Sequence, residues 1–219
     1  MQTSIDLRTS FENATHAFEY WLEIIRNSGV KVQNTKALFN VGFWIENPLD
    51  NKLYHRERIW NQDYAEAEWL WYMTGDNRLS TLGKIYGKVP KIWQRMADKD
   101  GRVNSNYGWQ WSRNNQIDHV VNLLERDPQT RQAAISIYDA KEHLNYGYDT
   151  PCTYAVQFYI QDDKLYMSVM MRSNDLWYGF PNDQYCFSRL QQMIAQRLSI
   201  DVGQYFHFTN NLHLYDDRL

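Results

Sequence analysis

The sequence predicts one α+β domain spanning residues 1–219. Three observations carry that expectation. Apolar residues recur at three- and four-residue steps in the first part of the chain, alternate with period two after Pro128, and return to helical spacing from residue 184. No repeat, low-complexity tract or linker divides the chain. A chain of this length can also hide roughly 70% of its unfolded surface, so one core needs no disulfide or metal to hold it.

Taken in order, residues 10–29 read as an amphipathic helix with Phe11, Ala14, Phe18, Leu22 and Ile25 on one face. Ser10 is placed to cap it and Gly29 to end it. A polar, β-leaning stretch follows through Leu38-Phe39 and Gly42-Phe43-Trp44. Residues 63–73 predict a second helix, stopped by Gly75-Asp76, with Trp69, Tyr72 and Met73 on its face and Glu68 set among aromatics. Residues 117–125 predict a third, ended by Asp127-Pro128. Residues 132–138 then read as a buried strand. Runs at 154–160 and 165–171 are joined across the polar Gln161-Asp162-Asp163-Lys164, which is a hairpin signal. Helical spacing returns over 184–198, with Phe187, Leu190, Met193, Ile194 and Leu198 in register. Residues 204–208 and 212–215 read as two short closing strands.

Composition excludes several functions. A net charge of −3 and a pI near 6.1 argue against a direct nucleic-acid binder, which needs a basic face. A small anionic ligand is still allowed, because a few arginines suffice for one phosphate. Two cysteines, Cys152 and Cys186, define no extracellular framework. No leader-like segment and no apolar run near 18 residues is present, so a cytoplasmic protein without a membrane span is expected. There is no Walker loop, no G-x-G-x-x-G after a strand and no H-E-x-x-H. His207 and His213 are close in sequence but lack a third ligand, and no metal is expected.

Three stretches carry chemistry. Pro151-Cys152-Thr153 precedes a strand; alone, Cys152 reads as a small buried hydrophobe. Arg172-Ser173-Asn174-Asp175 closes the hairpin; alone, it reads as a polar strand end. Gly179-Phe180-Pro181-Asn182-Asp183 reads as a turn and helix start that Asp183 can cap. Tyr185 and Cys186, on the helix that follows, read as structural.

In this order and spacing, and with the closing His213-x-Tyr215, these stretches resemble the thymidylate synthase family. The resemblance covers residues 11–219. It extends to Glu68-Trp69-Leu70-Trp71 with Gly75-Asp76, to Ile92-Trp93, to Tyr107-Gly108-Trp109-Gln110-Trp111 and to Asp127-Pro128-Gln129-Thr130-Arg131. It implies an α+β fold with a large mixed sheet flanked by helices and a homodimer formed sheet to sheet. It also implies a pyrimidine nucleotide monophosphate as substrate and 5,10-methylenetetrahydrofolate as co-substrate.

The resemblance assigns roles residue by residue. Cys152 would add to C6 of the base, turning C5 into a carbon nucleophile. Arg172 would sit beside it, favouring the thiolate and binding phosphate with Ser173, while Arg131 would reach across the dimer. Glu68, with Tyr107 nearby, would move protons. Ile92, Trp93, Asp175 and Gly179 would line the folate side, and His213 and Tyr215 would meet the sugar. The family's second phosphate arginine is Gln132 here. Its N-terminal arginine loop is not evident, and Lys31 is the substitute offered.

Asp183 stands where the synthases carry asparagine. A carboxylic acid can accept from the cytosine amine and donate to N3, or pair ionised with a protonated ring, whereas an amide suits uracil. Together with Thr153 after the cysteine, this resembles phage deoxycytidylate hydroxymethylases. The implied reaction converts dCMP, methylenetetrahydrofolate and water into 5-hydroxymethyl-dCMP and tetrahydrofolate, in a host cytoplasm if phage-encoded. The rival expectations are a cytidylate C5-methyltransferase ending in hydride transfer, a synthase acting on dUMP, and an inactive nucleotide- or RNA-binding homologue. The sequence given ends four residues after Tyr215, where the family continues; an expectation is that a site lacking that segment admits water.

Overall fold

The computed structural model describes residues 8–147 and 149–219. Its centre is an eight-stranded mixed sheet. The strands are β1 (Ser10–Phe11), β2 (Val30–Val32), β3 (Thr35–Ile45), β4 (Ala134–Ser136), β5 (Thr153–Gln161), β6 (Lys164–Met171), β7 (Asn174–Asp175) and β8 (Asp201–Tyr215). The path runs β1-β3-β8-β6-β5-β4, with β2 paired to β3 and β7 to β8. Around it lie α1 (Ala14–Ser28), α2 (Gln62–Met73), α3 (Leu79–Tyr86), α4 (Lys91–Met96), α5 (Tyr107–Ser112), α6 (Gln116–Arg126) and α7 (Phe180–Leu198).

Strand β8 organises the sheet, antiparallel to β3 and parallel to β6. Tyr205, His207 and Thr209 are buried while Phe206 and Phe208 between them are half-buried. That is the period-two pattern of a strand with unlike faces. The buried face packs under α1 and α7. The other face carries half-buried aromatics: Trp44 tilts against Phe206 and Tyr159 stacks on Tyr166, each pair 4.9 Å between centroids.

The α+β expectation holds, with local corrections. Ser10 and Phe11 pair with Trp44 and Ile45 as a strand instead of opening the helix. The cap of α1 is Asn13, whose side chain accepts from the His16 N–H at 3.1 Å. The two closing strands are one 15-residue strand, β8, because Asn211 and Thr209 still pair with Phe39 and Val41 of β3 on either side of Asn210. Only Ala134–Ser136 of the 132–138 stretch is strand. Met73 is 38% exposed and does not join Trp69 and Tyr72 in the core. The last helix starts at Phe180, so Asp183 lies in its first turn and Gly179 holds the cap position. Helices α3, α4 and α5 lie outside every predicted helix, being only 8, 6 and 6 residues long, too short to show a helical period.

Gly108 on α5 meets the end of α2 backbone to backbone. A Cβ there would stand 2.0 Å from the Tyr72 carbonyl oxygen. Gly108→Ala is therefore expected to destabilise the fold by about 3 kcal/mol, the upper end for overpacking, because backbone cannot step aside as a side chain can. Thermal denaturation of the variant measures it; an unchanged midpoint would contradict the close approach.

Candidate active site

The β5–β6 hairpin brings the first pair together. Thr153 pairs with Met171, and the Arg172 N–H donates to the Cys152 carbonyl at 2.8 Å. Residues twenty apart in sequence thus become neighbours at one sheet end. Arg172 spends its guanidinium on backbone: Nε donates to the Pro151 carbonyl at 3.1 Å and Nη2 to the Thr150 carbonyl at 2.8 Å.

The helices supply the rest. Glu68, on α2, is 5% exposed. Its Oε1 accepts from the Tyr72 hydroxyl at 2.9 Å, while buried Oε2 lacks a hydrogen-bond partner. Tyr107, at the start of α5, accepts the Thr153 N–H at 3.2 Å and so abuts the residue after Cys152. On β7, Asp175 Oδ1 accepts the N–H groups of Trp177 and Tyr178 at 2.8 and 3.0 Å. Asp183 Oδ2 accepts from Asn174 Nδ2 at 2.8 Å. Gly179 leaves room for that bond, since a Cβ there would lie 3.1 Å from Asp183 Oδ2 and 3.4 Å from Asn174 Nδ2.

These groups line one cavity of about 1020 Å³. Glu68, Tyr107, Cys152, Arg172, Ser173 and Asp183 are on its wall, and so are Ile92, Trp93, Asp175, Gly179 and Tyr215. Its size is at the upper end for small-molecule sites. Ile92, 52% exposed, and Trp93 offer an apolar wall for a second flat ligand, so the residues present fit a folate. Arg131, His213 and Lys31 are not on its wall. Arg131 is exposed just before the edge strand β4. His213 is 8% exposed on β8, its Nδ1 3.0 Å from Asn211 Oδ1 and its ring edge-on to Tyr215. Lys31 pairs with Asp216 on the exposed surface. Among the described residues no group of His, Cys, Asp or Glu could hold a metal, and no helix is long and apolar enough to cross a membrane.

The electrostatics are those of a cluster of buried acids. Burial, then the nearby Glu68 carboxylate, pushes Asp183 up to about 8 against the Asn174 hydrogen bond. Asp183 keeps some open surface, which faces the cavity. Burial likewise raises Glu68 to about 7 and Asp175 to about 6. At Cys152 burial raises the thiol to about 11, while Arg172 pulls it toward the thiolate as expected but offsets only part of that rise. At neutral pH the Cys152 side chain is therefore a thiol.

These shifts set a pH dependence of stability. The unfolded carboxyls lose their protons near pH 4, whereas the folded chain holds them up to about 6, 7 and 8. The folded state therefore binds more protons across that window, and stability falls as pH rises through it. His207 acts oppositely, since burial lowers it to about 3 and stability is lost as pH drops below its usual 6.5. Between about pH 6.5 and 8 the carboxyls act alone, so the melting temperature at pH 6.5 should exceed that at pH 8.5 by several degrees. A flat or inverted profile would contradict the burial of these acids.

Tyr64 and Arg58 also line the cavity without having stood out in the sequence, and so do Asn174 and Asn182, which the quoted stretches contain with no role assigned. Asp149 accepts the Asn104 and Ser105 N–H groups, anchoring the loop before α5. Asn182 accepts from Trp60 Nε1 at 2.8 Å beside Asp183. The one available hint was Asn182 itself, a polar residue next to Asp183 in a helix start that otherwise packs inward.

Comparison with known proteins places this geometry. Residues 34–219 match the family profile described as thymidylate synthase. The thymidylate synthase of Bacillus atrophaeus is 28% identical over 169 residues, covering 73% of this chain and 72% of that protein. That of Corynebacterium aurimucosum is 31% identical over 161 residues, covering 70% and 59%. That of Bacillus phage phi3T is 28% identical over 165 residues, covering 71% and 57%. The chain spans less than two thirds of the latter two. The solved structure of thermostable thymidylate synthase A from Bacillus subtilis superposes with a TM-score of 0.78 at 23% identity, over 93% of this chain and 80% of that one.

Proposed function

The chain belongs to the thymidylate synthase family, and on that premise we propose that it carries a one-carbon unit to C5 of dCMP, forming 5-hydroxymethyl-dCMP. The observation that carries this reading is the Asp183 carboxyl, held near 8 and open to the same cavity as Cys152. At neutral pH it is mainly the protonated acid. One of its oxygens can then accept from the cytosine amine while the other donates to N3, a pairing an amide gives to uracil instead.

The residues divide the work. Cys152 Sγ bonds to C6 of the base as its proton leaves, and the ring electron pair moves toward C5 while Asp183 supplies a hydrogen bond at N3. When bound, 5,10-methylenetetrahydrofolate would supply carbon at the oxidation level of formaldehyde, to be bonded to C5 with its bonds to the folate nitrogens broken and tetrahydrofolate released. Glu68, near 7, can take the C5 proton at neutral pH. Its unpartnered Oε2 also suits a water that adds to the exocyclic carbon. The Sγ–C6 bond then breaks and the ring is restored. Arg172 and Ser173 are proposed for the phosphate, and Arg131, exposed near the sheet edge, for the phosphate of a second subunit in a homodimer. His213 and Tyr215 are proposed for the sugar; Ile92, Trp93, Asp175 and Gly179 for the folate.

A second reading, thymidylate synthesis from dUMP, draws support from the names of the relatives. One experiment separates the two. The protein is incubated with methylenetetrahydrofolate and either dCMP or dUMP, with mass spectrometry of the nucleotide and absorbance of the folate. Hydroxymethyl-dCMP without dihydrofolate supports the proposal. Methyl-dUMP with dihydrofolate establishes the second reading, and methyl-dCMP with dihydrofolate indicates a cytidylate methyltransferase.

A further inference from the structure

A row of buried polar groups leads from Asp183 into the core. Asn174 Nδ2 donates to Asp183 Oδ2 at 2.8 Å, Asn174 Oδ1 is 3.1 Å from His207 Nε2, and His207 Nδ1 is 2.8 Å from the Tyr205 hydroxyl. Tyr205 and His207 are 0% exposed and Asn174 2%. Tyr205 and His207 align because strand residues two apart share a face. Neither lines the cavity.

Such a chain can run in either direction, and Tyr205 decides which. Burial keeps its phenol protonated. Among the described residues its hydroxyl bonds to His207. Were that proton not given to His207 Nδ1, it would be a buried donor left unmade, which is costlier than an acceptor with a spare lone pair. Tyr205 therefore donates. His207, kept neutral by burial, must carry its proton on Nε2 and donate to Asn174 Oδ1. The amide of Asn174 is thereby turned with its N–H toward Asp183.

We propose that Tyr205, His207 and Asn174 form a specificity device, fixing which oxygen of Asp183 accepts and which presents its proton to the base. The proposal rests on the reading of Asp183 as the group that recognises the pyrimidine edge. With Oδ2 occupied as an acceptor, the proton of the neutral acid belongs on Oδ1. Cytosine N3 has the lone pair to receive it, and the exocyclic amine can use the second lone pair of Oδ2. Uracil brings an N3–H, so two hydrogens would meet. A chain running the other way would draw the acid proton toward Asn174 and leave Oδ1 an acceptor, which welcomes uracil. The direction of a hydrogen-bond chain inside the core thus contributes to base choice. These three are positioning residues, acting only through Asp183.

The test measures kcat/KM for dCMP and dUMP on the full chain. Tyr205→Phe removes one oxygen from an unchanged ring. His207→Phe removes the middle link and fits a slot already formed by Phe43 and Phe180. In each variant the dCMP:dUMP ratio of kcat/KM should fall about tenfold, the worth of one buried hydrogen bond. It should fall through a gain with dUMP as well as a loss with dCMP. A merely structural role would lower both nucleotides equally and leave the ratio intact, which overturns the proposal. Asp183→Asn serves as the reference. If it too leaves the ratio intact, the reading of Asp183 fails. If it shifts the ratio while both Phe variants match the parent, only the chain of positioning residues is refuted.

Discussion

Cys152→Ala should lower kcat by about 10⁴-fold or more and abolish covalent attachment of nucleotide. Without addition at C6, C5 remains part of a conjugated ring and cannot attack carbon. No other residue can replace the thiol, because Cys186 is 1% exposed within α7 and held as a thiol by burial. Intact-mass spectrometry with 5-fluoro-dCMP and methylenetetrahydrofolate is the decisive measurement. Fluorine at C5 cannot leave as a proton, so the parent protein should accumulate an adduct and the variant should show none. An adduct surviving in Cys152→Ala would move the nucleophile elsewhere. Since burial raises Cys152 to about 11, iodoacetamide should also modify the ligand-free parent slowly at neutral pH.

The second large effect is expected at the base. Asp183→Asn should reduce the dCMP preference in kcat/KM by about 10²-fold or more and raise activity on dUMP. A carboxylic acid and an amide have nearly the same shape, so packing against Gly179 and Asn174 is kept. What changes is the proton at the cavity edge. The amide offers its N–H₂ to an oxygen and its oxygen to an N–H, the reverse of what cytosine presents. In the pocket each mismatched group stays unpaired, which makes the discrimination steep. Steady-state kinetics with both nucleotides measures it, and an unchanged ratio would refute base reading by Asp183.

Long elements were legible in the sequence because they repeat their period. The β5–β6 hairpin and α7 show several turns or alternations each, and the structure has them with boundaries moved by a few residues. The short ones were not. Helix α4 carries Ile92 and Trp93 but buries no side chain fully, so it has no apolar stripe to read. Asp183 was offered as a possible cap because an acid near a helix start ordinarily serves that purpose, but Gly179 holds the cap and Asp183 stands on the cavity wall. The pull of Arg172 on Cys152 was legible, but the larger desolvation opposing it was not, because a sequence shows neighbouring charge and not burial. Tyr205 and His207 sat in plain alternation; only the fold shows that Asn174, 33 residues from His207, completes their chain.

The contact at Gly108 bears on motion. With backbone pressed to backbone, the end of α2 and the start of α5 cannot slide past each other, so Glu68 and Tyr107 belong to one rigid body. Tyr107 in turn holds the N–H of Thr153, which ties the Cys152 end of the sheet to the same body. A change of cavity shape on loading must then come from the walls that are not welded. Helix α4 is one of them: it buries no side chain fully and is linked to α2 through the Trp93–Tyr64 hydrogen bond. Movement is thereby expected on the α4 wall, which carries the residues proposed for the folate, while Glu68, Tyr107 and Cys152 keep their relative places.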